Sequence, residues 1–188
     1  MKTDKAALLE TALTLFSERG YESVSIYDIG AARGVSGAAL YRHFRSKGDL
    51  LGQLCEKTLD RLSDCVGPVR DEPGSELHAL IAGHVRFVTR NAKLLTVTMS
   101  DGRALESPWR DTILRRQRAY MRRWESAVGA LYPDKQTVVL TMAIHAAIGV
   151  INSAARWSET LRSRSDFEER LVRGTHQVID TLVAPPTD

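Results

Sequence analysis

The chain has 188 residues, 43% hydrophobic and 26% charged, with a formal net charge of +3. This is the composition of a globular protein with room for one or two cored domains; a disordered chain is excluded, as is a helix-spanned membrane protein, since no stretch approaches about 18 uninterrupted apolar residues. So small a charge does not by itself imply nucleic acid, and the charged, amphipathic opening MKTDKAALLETAL has no signal-peptide apolar run, which makes the cytoplasm the expected compartment.

Residues 4–19 are predicted to form the first helix. Asp4 or Thr3 can cap it, Leu9, Ala12, Leu13 and Phe16 lie at helical spacing, and Gly20 ends it. Ser25 then precedes an apolar-periodic run, with Asp28 three residues on: the hydroxyl can accept from a free amide of the first turn, and the carboxylate suits the positive helix end. Ile26, Ile29 and Ala32 supply one apolar face, Gly34 stops the helix, and Ser36 caps another two residues later. Helix, glycine turn and capped helix at this spacing make a helix-turn-helix. Wound from Gly37, the second helix puts Leu40 and Phe44 together, with Val35 beside them. Ala38, Ala39, Arg42 and His43 fall on the opposite side, and Tyr41 lies between. A helix that buries Leu and Phe and presents small residues with Arg and His can enter a major groove. From Ile29 to Gly48 the charges are Arg33, Arg42, Arg45 and Lys47 with no acid among them, a basic island suited to a phosphate backbone.

Ser46 is expected to cap a fourth helix to about Val66, with Leu51, Leu54, Leu59 and Leu62 along it. Cys55 and Cys65 share that helix about 15 Å apart, too far to pair. After Gly67-Pro68 and Pro73-Gly74 only helices follow: about 75–90, 92–100, 107–131 opened by Ser107-Pro108, 133–157 opened by Pro133-Asp134, and a last one opened by a Ser165–Glu168 capping box and ending before Pro185-Pro186. The expected fold is all-α with nine helices and no strand. Apolar residues surround most of the penultimate long helix, including Ala143, Ala147 and Val150. The last carries Phe167, Leu171, Val178 and Leu182 on one face. In so small a chain, a helix apolar nearly all round points to cover from a second subunit.

The pattern Gly20-Tyr21, Ser25, Ile29, Gly34-Val35-Ser36, Leu40-Tyr41, His43-Phe44, Ser46-Lys47 and Asp49-Leu50 resembles the TetR family of transcriptional regulators, without a gap from about residue 6 to residue 51. The resemblance implies a two-domain architecture: residues 1–50 a DNA-binding head, 51–188 a helical ligand-binding and dimerisation domain. It implies a homodimer that pairs through its last two helices and binds a palindromic operator, a repressor released by a small-molecule effector. A helical binding or interaction module without specific DNA binding is the alternative. By resemblance, the backbone at the start of the first short helix, at Ser25, with Tyr41 and Lys47, would touch phosphates, and Ser36 belongs to the same DNA-binding set. Gly37, Ala38, Ala39 and His43 would face bases or adjoining backbone, and Tyr27 would lie at the groove edge, with Arg42 adding to the readout. Three features depart from the family pattern. Gly30 stands where alanine is usual, at about 0.8–1 kcal/mol of helix propensity. Gly48 replaces a common glutamate, and Gly37-Ala38-Ala39 carries no side-chain donor.

For the effector, Phe87, Met99, Arg103, Trp109, Tyr120, Trp124, His145 and Asn152 are the candidate contacts. The arginine-rich run from Arg103 to Arg123 would suit an anionic ligand such as a carboxylate or an acyl-CoA phosphate. Residues 94–124 look similar to regulators that answer acyl ligands. No catalytic constellation, metal or cofactor is expected. Gly34-Val35-Ser36-Gly37-Ala38 falls one glycine short of a nucleophile elbow and lies in the wrong context. His78, His84, His145 and His176 lack metal-ligand spacing, and no Gly-rich phosphate loop follows a strand.

Overall fold

The computed structural model describes residues 4–184, and no strand occurs among them. The helices are α1 (Lys5–Arg19), α2 (Ile26–Ala32), α3 (Gly37–Tyr41), α4 (Lys47–Val66), α5 (Pro73–Asp101), α6 (Trp109–Leu131), α7 (Thr137–Ser153), α8 (Glu159–Arg162) and α9 (Phe167–Val183), with 3-10 turns at Gly102–Ala104 and Ala154–Arg156. Packing groups them into two compact units. The first runs through Leu59 and takes in Lys93–Arg115; the second joins Asp60–Ala92 to the chain from Arg116 onward.

The first unit owes its extent to one core. Leu8, Ala12 and Phe16 of α1, Ile29 of α2, Leu40 of α3 and Leu50, Leu51 and Leu54 of α4 cluster with Leu94, Val97, Leu105 and Ile113. Asp4 caps α1 by accepting from Ala6 N at 3.0 Å, whereas Thr3 lies outside the described residues. Trp109 lies flat against α4: a Cβ on Gly52 would fall 2.3 Å from its ring, so no other residue fits there without moving it. The indole N–H donates to Asp49 Oδ1 at 3.0 Å, and Arg45 N donates to Oδ2 at 2.9 Å. Burial alone would raise the Asp49 pKa, but hydrogen bonds from Arg45, Gln53 and Trp109 prevail and lower it.

In the second unit α7 packs along α9, with Ala143, Ile144, Ala147 and Ile151 buried on one side and Leu171, Thr175, Ile179 and Val183 on the other. Glu76 is buried and accepts from Arg123 Nε at 2.8 Å and from the Arg70 amide at 3.0 Å. Val66 and α5 approach so closely that a Cβ on Gly83 would lie 2.5 Å from Val66 Cα.

Several boundaries differ from expectation for local reasons. Residues 75–90 and 92–100 form one helix kinked at Asn91 (φ −132, ψ 29), whose side chain donates to Phe87 O at 3.0 Å and accepts from Arg61 at 2.6 Å. Helix α7 opens at Thr137 rather than Pro133, because Lys135 N first closes a turn onto Tyr132 O. The Ser165–Glu168 capping box does not form. Asp166 occupies the cap position with its carboxylate held by Arg164 and Arg170, and Glu168 accepts the Thr89 hydroxyl at 2.6 Å. The short α8, capped by Ser158, has no counterpart in the sequence-based expectation, and Pro185-Pro186 lie outside the described residues. By length and mean hydropathy (1.8) Thr137–Arg156 matches a membrane span, yet one of its faces is occupied by α9. Val138 and Met142, each 59% exposed, mark its open face.

Candidate nucleic-acid interface

The reading head is set by two caps and a glycine turn. Ser25 Oγ accepts from Asp28 N at 3.2 Å while the Asp28 carboxylate accepts from Ser25 N at 2.7 Å, a reciprocal capping box that holds the Asp28 carboxyl below its usual range, through the side-chain bond first and the backbone bond second. Gly34, at φ 65, makes the left-handed turn, and Val35 N returns to Gly30 O at 2.9 Å. Here Gly30 has its explanation: a Cβ would sit 2.7 Å from Val35 O and 3.0 Å from Leu40 Cδ1. The lost helix propensity allows α2 and α3 to close on one another. Ser36 Oγ caps α3 by accepting from Ala39 N at 3.3 Å, and Leu40 and Phe44 anchor it in the core.

Outward from this frame stand Tyr27 (71% exposed), Tyr41 (52% exposed), Ala38, Arg42 and Arg45, with Ser25 and Ser36 exposed at the two caps. His43 and Gly37 are half-buried. Tyr27 lies over Gly37, where a Cβ would come within 2.8 Å of the ring. The missing side chain at 37 is therefore a seat for an aromatic one. Ala39 is buried (7% exposed) and faces the core, not the outside, because a five-residue helix anchored by Leu40 turns the preceding residue inward. Lys47 is also engaged: its Nζ donates to Tyr21 O at 3.1 Å and lies 4.2 Å from the centre of the Tyr21 ring. It braces the loop between α1 and α2. Beside α3 a groove of about 850 Å³ runs past Tyr41, Arg42, Arg45 and Lys47 to Ser107 and Trp109. Arg42, Arg45 and Lys47 outnumber the acids Asp49 and Glu106 along it, a balance that suits a phosphodiester strand.

The expected effector contacts divide. Phe87, Tyr120, Trp124 and Asn152 belong to the second unit, where they gather round His84, a residue sequence reasoning did not single out as a contact. Met99 (49% exposed), Arg103 and Trp109 belong to the first unit, and His145 is exposed on α7. Of the arginine run, Arg116 is paired with Asp60 at 2.7 Å and Arg123 with Glu76 at 2.8 Å. Of the expected dimer residues, Ala143, Ala147, Phe167 and Leu171 are already covered by their own chain, Val150 and Val178 are half-buried and Leu182 is 38% exposed.

Comparison with known proteins accords with this geometry. Residues 8–54 match the family model for bacterial regulatory proteins of the tetR family, and residues 70–160 match a tetracyclin repressor-like C-terminal domain. The chain is 26% identical over 137 residues to the HTH-type transcriptional repressor KstR2 of Mycolicibacterium smegmatis, covering 68% of this chain and 67% of that protein. It spans less than half the length of several other curated relatives it matches. A TetR-family regulator from Bordetella parapertussis shares the fold with a TM-score of 0.82 at 22% identity, over 95% of each chain. AibR, solved in complex with isovaleryl coenzyme A and operator DNA, shares it with a TM-score of 0.78 at 23% identity, over 97% of this chain and 99% of that one. The chain belongs to the TetR family of bacterial regulatory proteins, DNA-binding transcription factors rather than enzymes.

Proposed function

We propose that this protein is a homodimeric repressor that binds a palindromic operator through residues 1–50 and is released by a small molecule taken up within residues 51–188. The observation that carries it is the surface of the head: Tyr27, Ala38, Tyr41 and Arg42 project from a doubly capped helix-turn-helix anchored by the buried Ile26, Ile29, Leu40 and Phe44. Tyr41 and the amides at the two caps take phosphates, Arg42 and His43 reach base edges, and Tyr27 lines the groove. Ala38 offers a methyl contact to thymine. The second copy docks on the open side of α7 and α9, where Val138, Met142 and Leu182 are exposed and Val150 and Val178 half-buried. Two heads about 34 Å apart would then meet successive major grooves.

The effector acts by favouring a state with the heads wrongly spaced. Moving occupancy from 99:1 to 1:99 requires about 5.5 kcal/mol of differential affinity. An acyl compound is the class suggested by the AibR complex with isovaleryl coenzyme A. The test is selection of bound duplexes from a random pool by the purified protein, with its solution mass recorded. An enriched inverted repeat on a dimer supports the proposal. A single enriched half-site overturns the dimer geometry, and no enrichment at low salt overturns operator binding altogether.

A further inference from the structure

The interior of the second unit holds a neutral hydrogen-bond network with one buried donor left over beside it. Three helices each contribute one polar side chain to it: His84 from α5, Tyr120 from α6 and Asn152 from α7. His84 is 3% exposed, and its Nε2 lies 3.0 Å from Asn152 Oδ1. That oxygen can only accept, so Nε2 carries the proton and Nδ1 is bare. The Tyr120 hydroxyl, 3.2 Å from Nδ1, is then the donor to it. Burial holds the His84 pKa down to about 4, so the network stays uncharged at neutral pH.

One buried N–H group is not used by this chain of bonds. One turn along α6 from Tyr120, Trp124 is 0% exposed and its Nε1–H has no hydrogen-bond partner. It meets the Tyr120 ring edge-on, with centroids 6.4 Å apart at 82°; burial raises the Tyr120 pKa and the approaching indole N–H works against that rise, from outside hydrogen-bond geometry. A buried N–H left unpaired costs about 1–3 kcal/mol, and most are paired. What the indole N–H lacks is an acceptor. An anion is a poor candidate: the neighbouring guanidinium of Arg123 is committed to Glu76 at 2.8 Å, and a carboxylate buried without a counter-charge is strongly disfavoured.

We propose that Trp124 Nε1–H donates to the uncharged carbonyl oxygen of an otherwise apolar effector, whose body lies against Phe87 and the Trp124 ring. The proposal rests on the reading of this protein as effector-responsive and narrows it. A ketone, ester or thioester carbonyl fits, and a free carboxylate does not.

The direct readout is the indole N–H resonance of Trp124 in the intact dimer, told apart from those of Trp109 and Trp157 by single Trp→Phe variants. The probes are methyl ketones and methyl thioesters of short and medium chain length, a cyclic ketone, and the carboxylates of matching skeleton. Operator release is measured on the same samples. Expected are a saturable downfield shift of the Trp124 resonance with a carbonyl probe, none with its carboxylate, and roughly tenfold weaker binding of that probe to Trp124→Phe, the loss of one hydrogen bond. Which of the ketones or thioesters binds tighter separates the two sources of the carbonyl. A Trp124 resonance unmoved by every carbonyl probe, or moved equally by the carboxylates, overturns the proposal. Release of operator by a compound that leaves the resonance unmoved overturns it too, while the effector reading stands. A shift without release keeps the site and removes the regulatory reading.

Discussion

Gly30→Ala separates helix propensity from packing, because the two act with opposite sign. Alanine in a helix interior is favoured over glycine by about 0.8–1 kcal/mol, and on local grounds the substitution should stabilise α2. The structure places the new Cβ 2.7 Å from Val35 O, a backbone atom fixed by the Val35 N to Gly30 O hydrogen bond of 2.9 Å, and 3.0 Å from Leu40 Cδ1. Reaching an ordinary carbon–oxygen contact of about 3.3 Å requires the turn to move by roughly half an ångström. Overpacking of this kind costs about 1–3 kcal/mol, which leaves a net loss centred near 1 kcal/mol. In a chain of this length that lowers Tm by about 2–4 °C. Gly37→Ala is the internal control. There the obstruction is the exposed Tyr27 ring, which can swing away, so Tm should stay within about 1–2 °C of the parent while operator affinity falls. Thermal unfolding followed by circular dichroism, with operator titrations alongside, decides it. A Tm for Gly30→Ala at or above the parent's would refute the close-approach reasoning and leave propensity in charge.

Three further outcomes follow from single contacts. Glu76→Gln removes the counter-charge of the part-buried Arg123 and should cost about 3 kcal/mol, seen as a Tm lower by roughly 6–12 °C. His84, whose folded pKa of about 4 lies below the usual 6.5, binds its proton more readily when unfolded, so its stability contribution is complete above pH 6.5 and is lost as pH falls towards 4. Denaturant midpoints should decline by about 2 kcal/mol equivalent between pH 7 and pH 5, and His84→Gln should flatten that slope. Tyr41→Phe should weaken binding about threefold to tenfold on all duplexes alike with an unchanged salt slope, whereas Arg42→Ala should relax preference at one base pair; fluorescence anisotropy across duplex sequences and salt concentrations distinguishes them.

What was legible in the sequence is what depends on neighbours along the chain. The Ser25–Asp28 box, the left-handed Gly34, the Ser36 cap and the shared face of Leu40 and Phe44 all follow from residues within one or two helical turns, and all are present. The seating of Tyr27 over Gly37 and of Trp109 over Gly52 depends on what crosses the glycine in space, which no periodicity encodes. His84 was invisible as a contact for the same reason: Asn152 and Tyr120 are 68 and 36 residues away. Ser165–Glu168 satisfies the spacing of a capping box and yet makes none, because Arg164 and Arg170 hold Asp166 and Thr89 claims Glu168. One local rule gave way to another local set of contacts around Asp166 and to a single distant partner, Thr89.

The brevity of α3 ties these observations to the way the head works. Five residues cannot sustain a helix alone, since nucleation fixes several backbone dihedrals for a single hydrogen bond. The reading helix exists because the Ser36 cap, the Gly34 turn and the buried Leu40 and Phe44 hold it from outside. Its recognition face therefore has no rigidity of its own and inherits that of the core beneath, a core shared in the first unit with Leu94, Val97, Leu105 and Ile113. Leu94 and Val97 of α5, Leu105 between the helices and Ile113 of α6 share one core with Leu40. Lys47, braced on Tyr21 O, and Asp49, held by the Trp109 indole, fix the start of α4 in the same core. Shape in the reading head is thus set from behind, by packing, while its exposed residues remain free to set affinity and sequence preference.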